Sequence, residues 1–176
     1  MTDPLRYPIG QFAMPAEVTE ADRARWIADL AGAPAALRAA LAGLSADQIE
    51  TSYRPEGWTV RQVIHHVPDS HLHAYTRFKL ALTEDEPTIK PYDEGRWSEL
   101  SDVRLVDPRV SLDLLDALHR RWVALVRSLD PTAYLRTLRH PELGRTLTLD
   151  EALATYAWHG RHHAAHITSL RRREGW

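Results

Sequence analysis

Trp158-His159-Gly160-Arg161-His162-His163-Ala164-Ala165-His166 places four histidines within eight residues. His159 and His163 are four apart, and so are His162 and His166. Side chains at i and i+4 of a helix stack on one face, near enough to share one metal ion. The stretch lies in a helical pattern that opens with Thr148 and Glu151 at capping-box spacing and closes with Arg171-Arg172-Arg173 before Gly175. The predicted helix therefore runs from about Thr148 to about Arg173. A second cluster, His65-His66 with His71 and His73, sits about ninety residues earlier. Two helices that turn imidazoles toward each other inside a bundle make a transition-metal site.

Three more helical patterns accompany this one. The first spans about Thr19 to Leu44, with Trp26, Ile27, Leu30, Leu37, Leu41 and Leu44 on its apolar positions, and Pro34 predicts a kink or a split. The second opens after Gly57-Trp58 with another capping box, Thr59 to Gln62, and continues to about Leu82. The third covers about Ser111 to Leu129, where Leu114, Leu115, Leu118, Trp122, Leu125, Val126 and Leu129 recur at three-to-four spacing. Residues 84 to 108 read as a long connection carrying Pro87, Pro91, Gly95 and Pro108, and a short hairpin is expected around Leu138 to Leu149. With no strong alternating strand pattern, the fold class is all-α: an antiparallel four-helix bundle with one long crossover connection.

The 176 residues fit a single domain, 1–176, with a substantial core. A net charge of −2 with both signs interspersed gives no basic field for nucleic acid. No apolar run is long enough to span a membrane. Met1 to Met14 lacks the apolar core of a signal peptide, so a cytoplasmic location is expected. Cysteine is absent, which removes disulfides, thiolate ligands and a cysteine nucleophile together. A metal would be held by His, Asp or Glu, and any thiol chemistry would need an external thiol.

Helical wheels sort the histidines. The apolar arc of the last helix holds Leu149, Ala152, Leu153, Tyr156, Ile167 and Leu170. His163 falls near its middle, His159 and His166 on its edge, and His162 outside. His159 and His163 are thus the inward pair, with His166 a neighbour of the site. On the second helix, Val60, Val63, Val67, Ala74, Phe78 and Ala81 form the arc. His66 lies at its border and His71 within it, so the two compete as third ligand. His65, His73 and His162 read as a solvated face, the isolated His119 and His140 as structural or surface residues, and the triple arginine as a solvated helix end. Trp26 and Trp122 read as core.

At these residues the chain resembles the DinB-like superfamily, and within it the YfiT-type metal-dependent hydrolases. The resemblance rests on Tyr7-Pro8-Ile9-Gly10, Gly57-Trp58-Thr59-Val60-Arg61-Gln62-Val63-Ile64-His65-His66-Val67, Asp69-Ser70-His71, Arg77 to Glu84, Pro91-Tyr92-Asp93-Glu94, Trp158-His159, His162-His163 and the terminal Arg171 to Trp176. It implies the four-helix bundle and a metal on three histidines. One is the residue eight after the helix-opening tryptophan, His66, and the other two are the pair His159 and His163. Pro68 departs from the small helix former expected there, and His162-His163-Ala164-Ala165-His166 stands where the wider superfamily has His-His-Arg-Gly-Gln.

Three histidines leave an open position on zinc or nickel, which implies hydrolysis of a small-molecule substrate by activated water. The resemblance equally implies an alternative, an S-transferase (bacillithiol-transferase-like) that conjugates a low-molecular-weight thiol such as bacillithiol to an electrophile. A third reading is a non-catalytic metal-binding dimerisation module, and a homodimer is implied by resemblance. No general base is evident: Asp69 is the nearest acidic candidate, with ligand orientation or surface solvation as its plainer role. The loop Tyr92-Asp93-Glu94, with Arg96 and Trp97, is a candidate cover for the site or a packed crossover.

Overall fold

The computed structural model of the chain describes residues 3–176. Four long helices carry it: α1 (Glu20–Leu41), α3 (Val60–Thr83), α6 (Pro108–Arg127) and α7 (Leu149–Glu174). Between them lie the short helices α2 (Ala46–Ile49), α4 (Glu94–Trp97) and α5 (Ser101–Leu105), a 3₁₀ turn at Ala133–Leu135, and an antiparallel hairpin of β1 (Thr137–His140) and β2 (Arg145–Thr148).

Local chemistry explains the helix starts. Thr19 and Thr59 each accept from the third helical N–H while Asp22 and Gln62 reach back, so both boxes close. Asp107 caps α6 and Pro108 occupies its first position, which begins that helix earlier than its apolar spacing predicts. Only half of the box at α7 forms: Thr148 accepts from Glu151, whose carboxylate instead pairs with Arg145 of β2. Of the kink or split expected at Pro34, the split does not occur: α1 runs through it, as α3 runs through Pro68.

The same two helices, α6 and α7, pack against both α1 and α3. α1 and α3 therefore occupy one pair of diagonal corners of the bundle, and α6 and α7 the other. Cross-links give the directions. Arg23 meets Asp150 and Arg171 meets Ala40, so α1 and α7 run parallel. His65 meets Ser111 and His71 meets His119, so α3 and α6 run parallel as well. The pairs α1/α6 and α3/α7 are antiparallel, as Leu30–His119 with Arg38–Asp113 and His66–His159 with Arg77–Tyr156 show. A parallel pair needs a connection that returns along the helix length, roughly 36 Å for a 24-residue helix at 1.5 Å per residue. Residues 84–107 make that crossover.

The apolar core forms two clusters. One gathers Trp26, Leu30, Phe78, Trp122 and Leu153, the other Leu37, Ile64, Leu112, Leu115, Ile167 and Leu170. Between them lies a belt of buried histidines: 65, 66, 71, 119, 162, 163 and 166. A fully buried Leu or Phe contributes about 1.5–3 kcal/mol. The belt forgoes that gain and must satisfy polar atoms instead. No helix of the described residues is long and apolar enough to cross a membrane.

Candidate metal centre

α3 and α7 cross the belt antiparallel, and there His66, His159 and His163 converge. One nitrogen from each can be chosen so that all three lie within 4.8 Å of one another. The Nε2 atoms of His66 and His159 stand 3.2 Å apart. Two nitrogens at the usual 2.0–2.1 Å from a tetrahedral ion are separated by about 3.3 Å. The donor set is three imidazoles with no thiolate and no carboxylate, a borderline set that suits zinc or nickel.

Electrostatics agree with that use. Burial pushes the His66 imidazole down to about 4. Burial first, and then neighbouring imidazoles, hold His159 and His163 well below the usual histidine range. Neutral rings offer lone pairs at pH 7, the form a metal requires. The buried Nδ1 of His163 has no hydrogen-bond partner.

Backbone features place these rings. The closed box at Thr59 fixes the start of α3, and the Trp58 ring beside it lies 4.5 Å from the His66 ring, centre to centre. On α7, Gly160 brings α1 close. A Cβ at that position would lie 2.9 Å from the Ala33 Cβ, nearer than side chains pack. At the start of α7, Asp150 takes both nitrogens of the Arg23 fork at 2.7 Å and is almost fully buried, which ties α1 and α7 in register.

The three histidines open onto a cavity of 480 Å³ whose wall includes Tyr53, Trp58, Arg77, Tyr92, Glu94 and Tyr156. Arg77 donates to the Tyr156 hydroxyl at 3.1 Å. Partial burial, then the charges of Glu142 and Asp93, raise the Glu94 carboxyl. Tyr92, stacked on His73 at 4.2 Å, and Glu94 line the cavity, whereas Asp93, Arg96 and Trp97 do not.

The other histidines go elsewhere, and several depart from expectation. His65 is buried, not solvated: its Nδ1 meets the Ser111 hydroxyl at 2.7 Å where α3 packs on α6. His162 is also buried, with Trp158 stacked on it at 4.3 Å and Tyr7 beyond. His166 donates through Nε2 to the Arg6 carbonyl and stacks on Tyr53 at 3.9 Å. His71 stands behind His159, its Nε2 3.0 Å from the His159 Nδ1, and His119 is buried behind His71. His73 is half-buried, and His140 lines the cavity. Asp69 does not line it, although burial and the charge of Asp102 raise its carboxyl to about 6. Arg171 is no mere solvated end: it donates at 2.9 Å to the carbonyls of Ala40 and Ala42 at the end of α1.

Tyr53, Arg77, Tyr156 and the N-terminal Tyr7 line the cavity without having been singled out from sequence as part of a site. Tyr156 read as one more apolar-arc position, and Tyr7 and Tyr53 lie outside the long helices, where periodicity has no purchase.

Comparison with known proteins gives the same picture. A protein of Bacillus mycoides, provisionally named a metal-dependent hydrolase, is 54% identical over 173 residues, 98% of each chain. One of Oceanobacillus iheyensis, named likewise, is 49% identical over 171 residues, 97% of this chain and 98% of the other. Among solved structures, YfiT from Bacillus subtilis, described as a probable metal-dependent hydrolase with an unusual four-helix bundle topology, superposes with a TM-score of 0.96 at 47% identity over 99% of both chains. The DinB superfamily model matches residues 29–167, which hold every histidine of the belt, from α3, α6 and α7. The chain belongs to the DinB superfamily.

Proposed function

We propose that the chain is a metal-dependent hydrolase of small molecules, in which His66, His159 and His163 hold one divalent transition-metal ion, zinc or nickel. The observation that carries this reading is the convergence of three neutral imidazoles at the wall of an open 480 Å³ cavity. A closed structural site would be capped by a fourth protein ligand, and no further His, Cys, Asp or Glu joins the group among the described residues. When bound, such an ion supplies a Lewis acid with an open position, which acidifies a water toward neutral pH.

The chain's own residues do the rest. Trp58 walls the His66 side and excludes solvent from its ring. Tyr156, accepting from Arg77, keeps its own proton to offer, and the pair would meet negative charge that develops on a substrate oxygen. Glu94 is the acid–base group this reading assigns. Its carboxyl lines the cavity with its proton affinity raised, whereas Asp69 lies outside. A raised carboxyl works nearer neutral pH than an ordinary one.

The test is elemental analysis of the purified chain, followed by ester and amide screens with and without a low-molecular-weight thiol such as bacillithiol. One ion per chain with thiol-independent cleavage is expected. Turnover only with the thiol would replace hydrolysis by S-transfer. One ion that exchanges no water and supports no turnover would make the site structural.

A further inference from the structure

One helix position links the bundle's interior to the metal-site ligand His159. Pro34 lies inside α1 and carries no N–H, so the carbonyl of Leu30, four residues earlier, lacks its helical donor. Leu30 is fully buried, and a buried carbonyl needs a partner. His119 of α6 supplies it, with its Nδ1 2.7 Å from the Leu30 oxygen.

That single contact sets a direction. A carbonyl only accepts, so the His119 Nδ1 carries a proton. A neutral imidazole has one N–H, which leaves the His119 Nε2 as an acceptor. Its partner is the His71 Nδ1 at 2.8 Å, which must donate. The His71 Nε2 then accepts, and the His159 Nδ1, 3.0 Å away, donates to it. The His159 Nε2 is left with a bare lone pair, and it is this atom that faces the His66 Nε2 at 3.2 Å. Neutrality follows from the surroundings: no carboxylate is a hydrogen-bond partner of any of the three rings, and an unpaired buried cation is very costly.

We propose that His119 and His71 are positioning residues which, anchored on the carbonyl that Pro34 frees, lock His159 in the Nδ1–H tautomer and aim its Nε2 lone pair into the metal site. The metal half of this statement rests on the function proposed above, and the tautomer half does not. The opposite tautomer of His159 would present an N–H to the cation and could not ligate through Nε2. A buried partner of this kind fixes ring rotation as well as tautomer, and removing such partners costs 10–100-fold in metal affinity in other sites.

Long-range ¹H–¹⁵N correlation spectra of metal-free protein labelled in histidine read the tautomers directly. Nδ1–H is expected for His119, His71 and His159 alike, and Nε2–H at His71 or His119 would overturn the proposal. In His119→Phe, His159 is expected to show mixed tautomers and zinc affinity, by chelator competition, to fall 10–100-fold. His119→Gln, whose amide can donate to Leu30 and accept from His71, restores both readings. Wild-type affinity together with an unmixed His159 in folded His119→Phe contradicts the relay. Should the wild type bind no zinc, the metal reading fails alone, and the spectra still decide whether the chain of hydrogen bonds is ordered as stated.

Discussion

The two sides of His159 are built on opposite plans. Behind it, toward α6 and α1, every ring nitrogen of His71 and His119 has a partner, and the chain ends on a backbone carbonyl. In front, the wall of the cavity leaves polar atoms unmatched: the Nδ1 of His162, the Nδ1 of His163 and the Nε1 of Trp158 are buried without hydrogen bonds. A native interior leaves few such atoms, and those it leaves ask for an explanation. The sealed side behaves as structure, and the open side as a place where something else is meant to bind. The difference teaches that one ring of a histidine belt can be held from behind by fully paired imidazoles while groups around its other face stay unmatched, although His65 elsewhere in the belt also keeps an unpaired Nε2.

Substitution at Glu94, on the open side, should alter chemistry and leave the fold alone. Glu94→Gln is expected to lower kcat by about 10²–10⁴, the usual worth of a general acid–base group, with unfolding free energy within about 0.5 kcal/mol of wild type. A loss of stability of the same order as the loss of rate would place Glu94 in the structure and blur the comparison.

Acid should attack the belt. The folded-state imidazoles of His66 and His119 lie at about 4 against 6.5 in the unfolded chain, both held down chiefly by burial. The unfolded state therefore binds more protons below pH 6.5, and stability, complete above that value, drains away as pH falls toward 4. Urea titration at pH 7 and pH 5 of the metal-free protein should differ by on the order of 2 kcal/mol for each of these two histidines. Equal stability at both pH values would mean the rings are more hydrated than the fold implies.

On the sealed side, Gly160→Val should destabilise by about 1–3 kcal/mol, because α7 cannot stay within contact of Ala33 on α1 once a branched side chain intervenes. Chemical denaturation checks it, and an unchanged midpoint would show that the helices are not in close contact there. The smallest effect is expected at two buried histidines outside the proposed ligand set, His65 against α6 and His162 at the cavity wall. His65→Ala and His162→Ala should each lose about 1–2 kcal/mol of stability, with metal stoichiometry unchanged. A loss of metal in either would redraw the boundary between ligand and scaffold.

Much of the fold was legible because its signals are local. The closed capping box at Thr59, the apolar spacing of α6 and the hairpin turn at His140 to Gly144 need no tertiary context. Helix direction was not legible: nothing in periodicity says that α3 and α6 run parallel, and only the long crossover hinted at it. The wheels put His163 and His159 inward but misplaced His65 and His162. A wheel assumes one buried face. Here α5 and α6 cover a second face of α3, and the N-terminal segment around Tyr7 and Phe12 covers a second face of α7. Periodicity also could not separate His66 from His71, since both are buried and both approach His159. One stands within reach of the same point as His163, and the other binds the far nitrogen of the same ring. Pro34 read as a kink or a split. Its actual consequence, a freed carbonyl filled by His119, depends on a helix more than eighty residues away.

The proposed site holds one ion on histidines from two helices, and zinc titration of metal-free protein tests that most directly. One ion per chain is expected for wild type and for His65→Ala, with stoichiometric binding lost in His163→Ala. Full occupancy in a folded His163→Ala variant would contradict it.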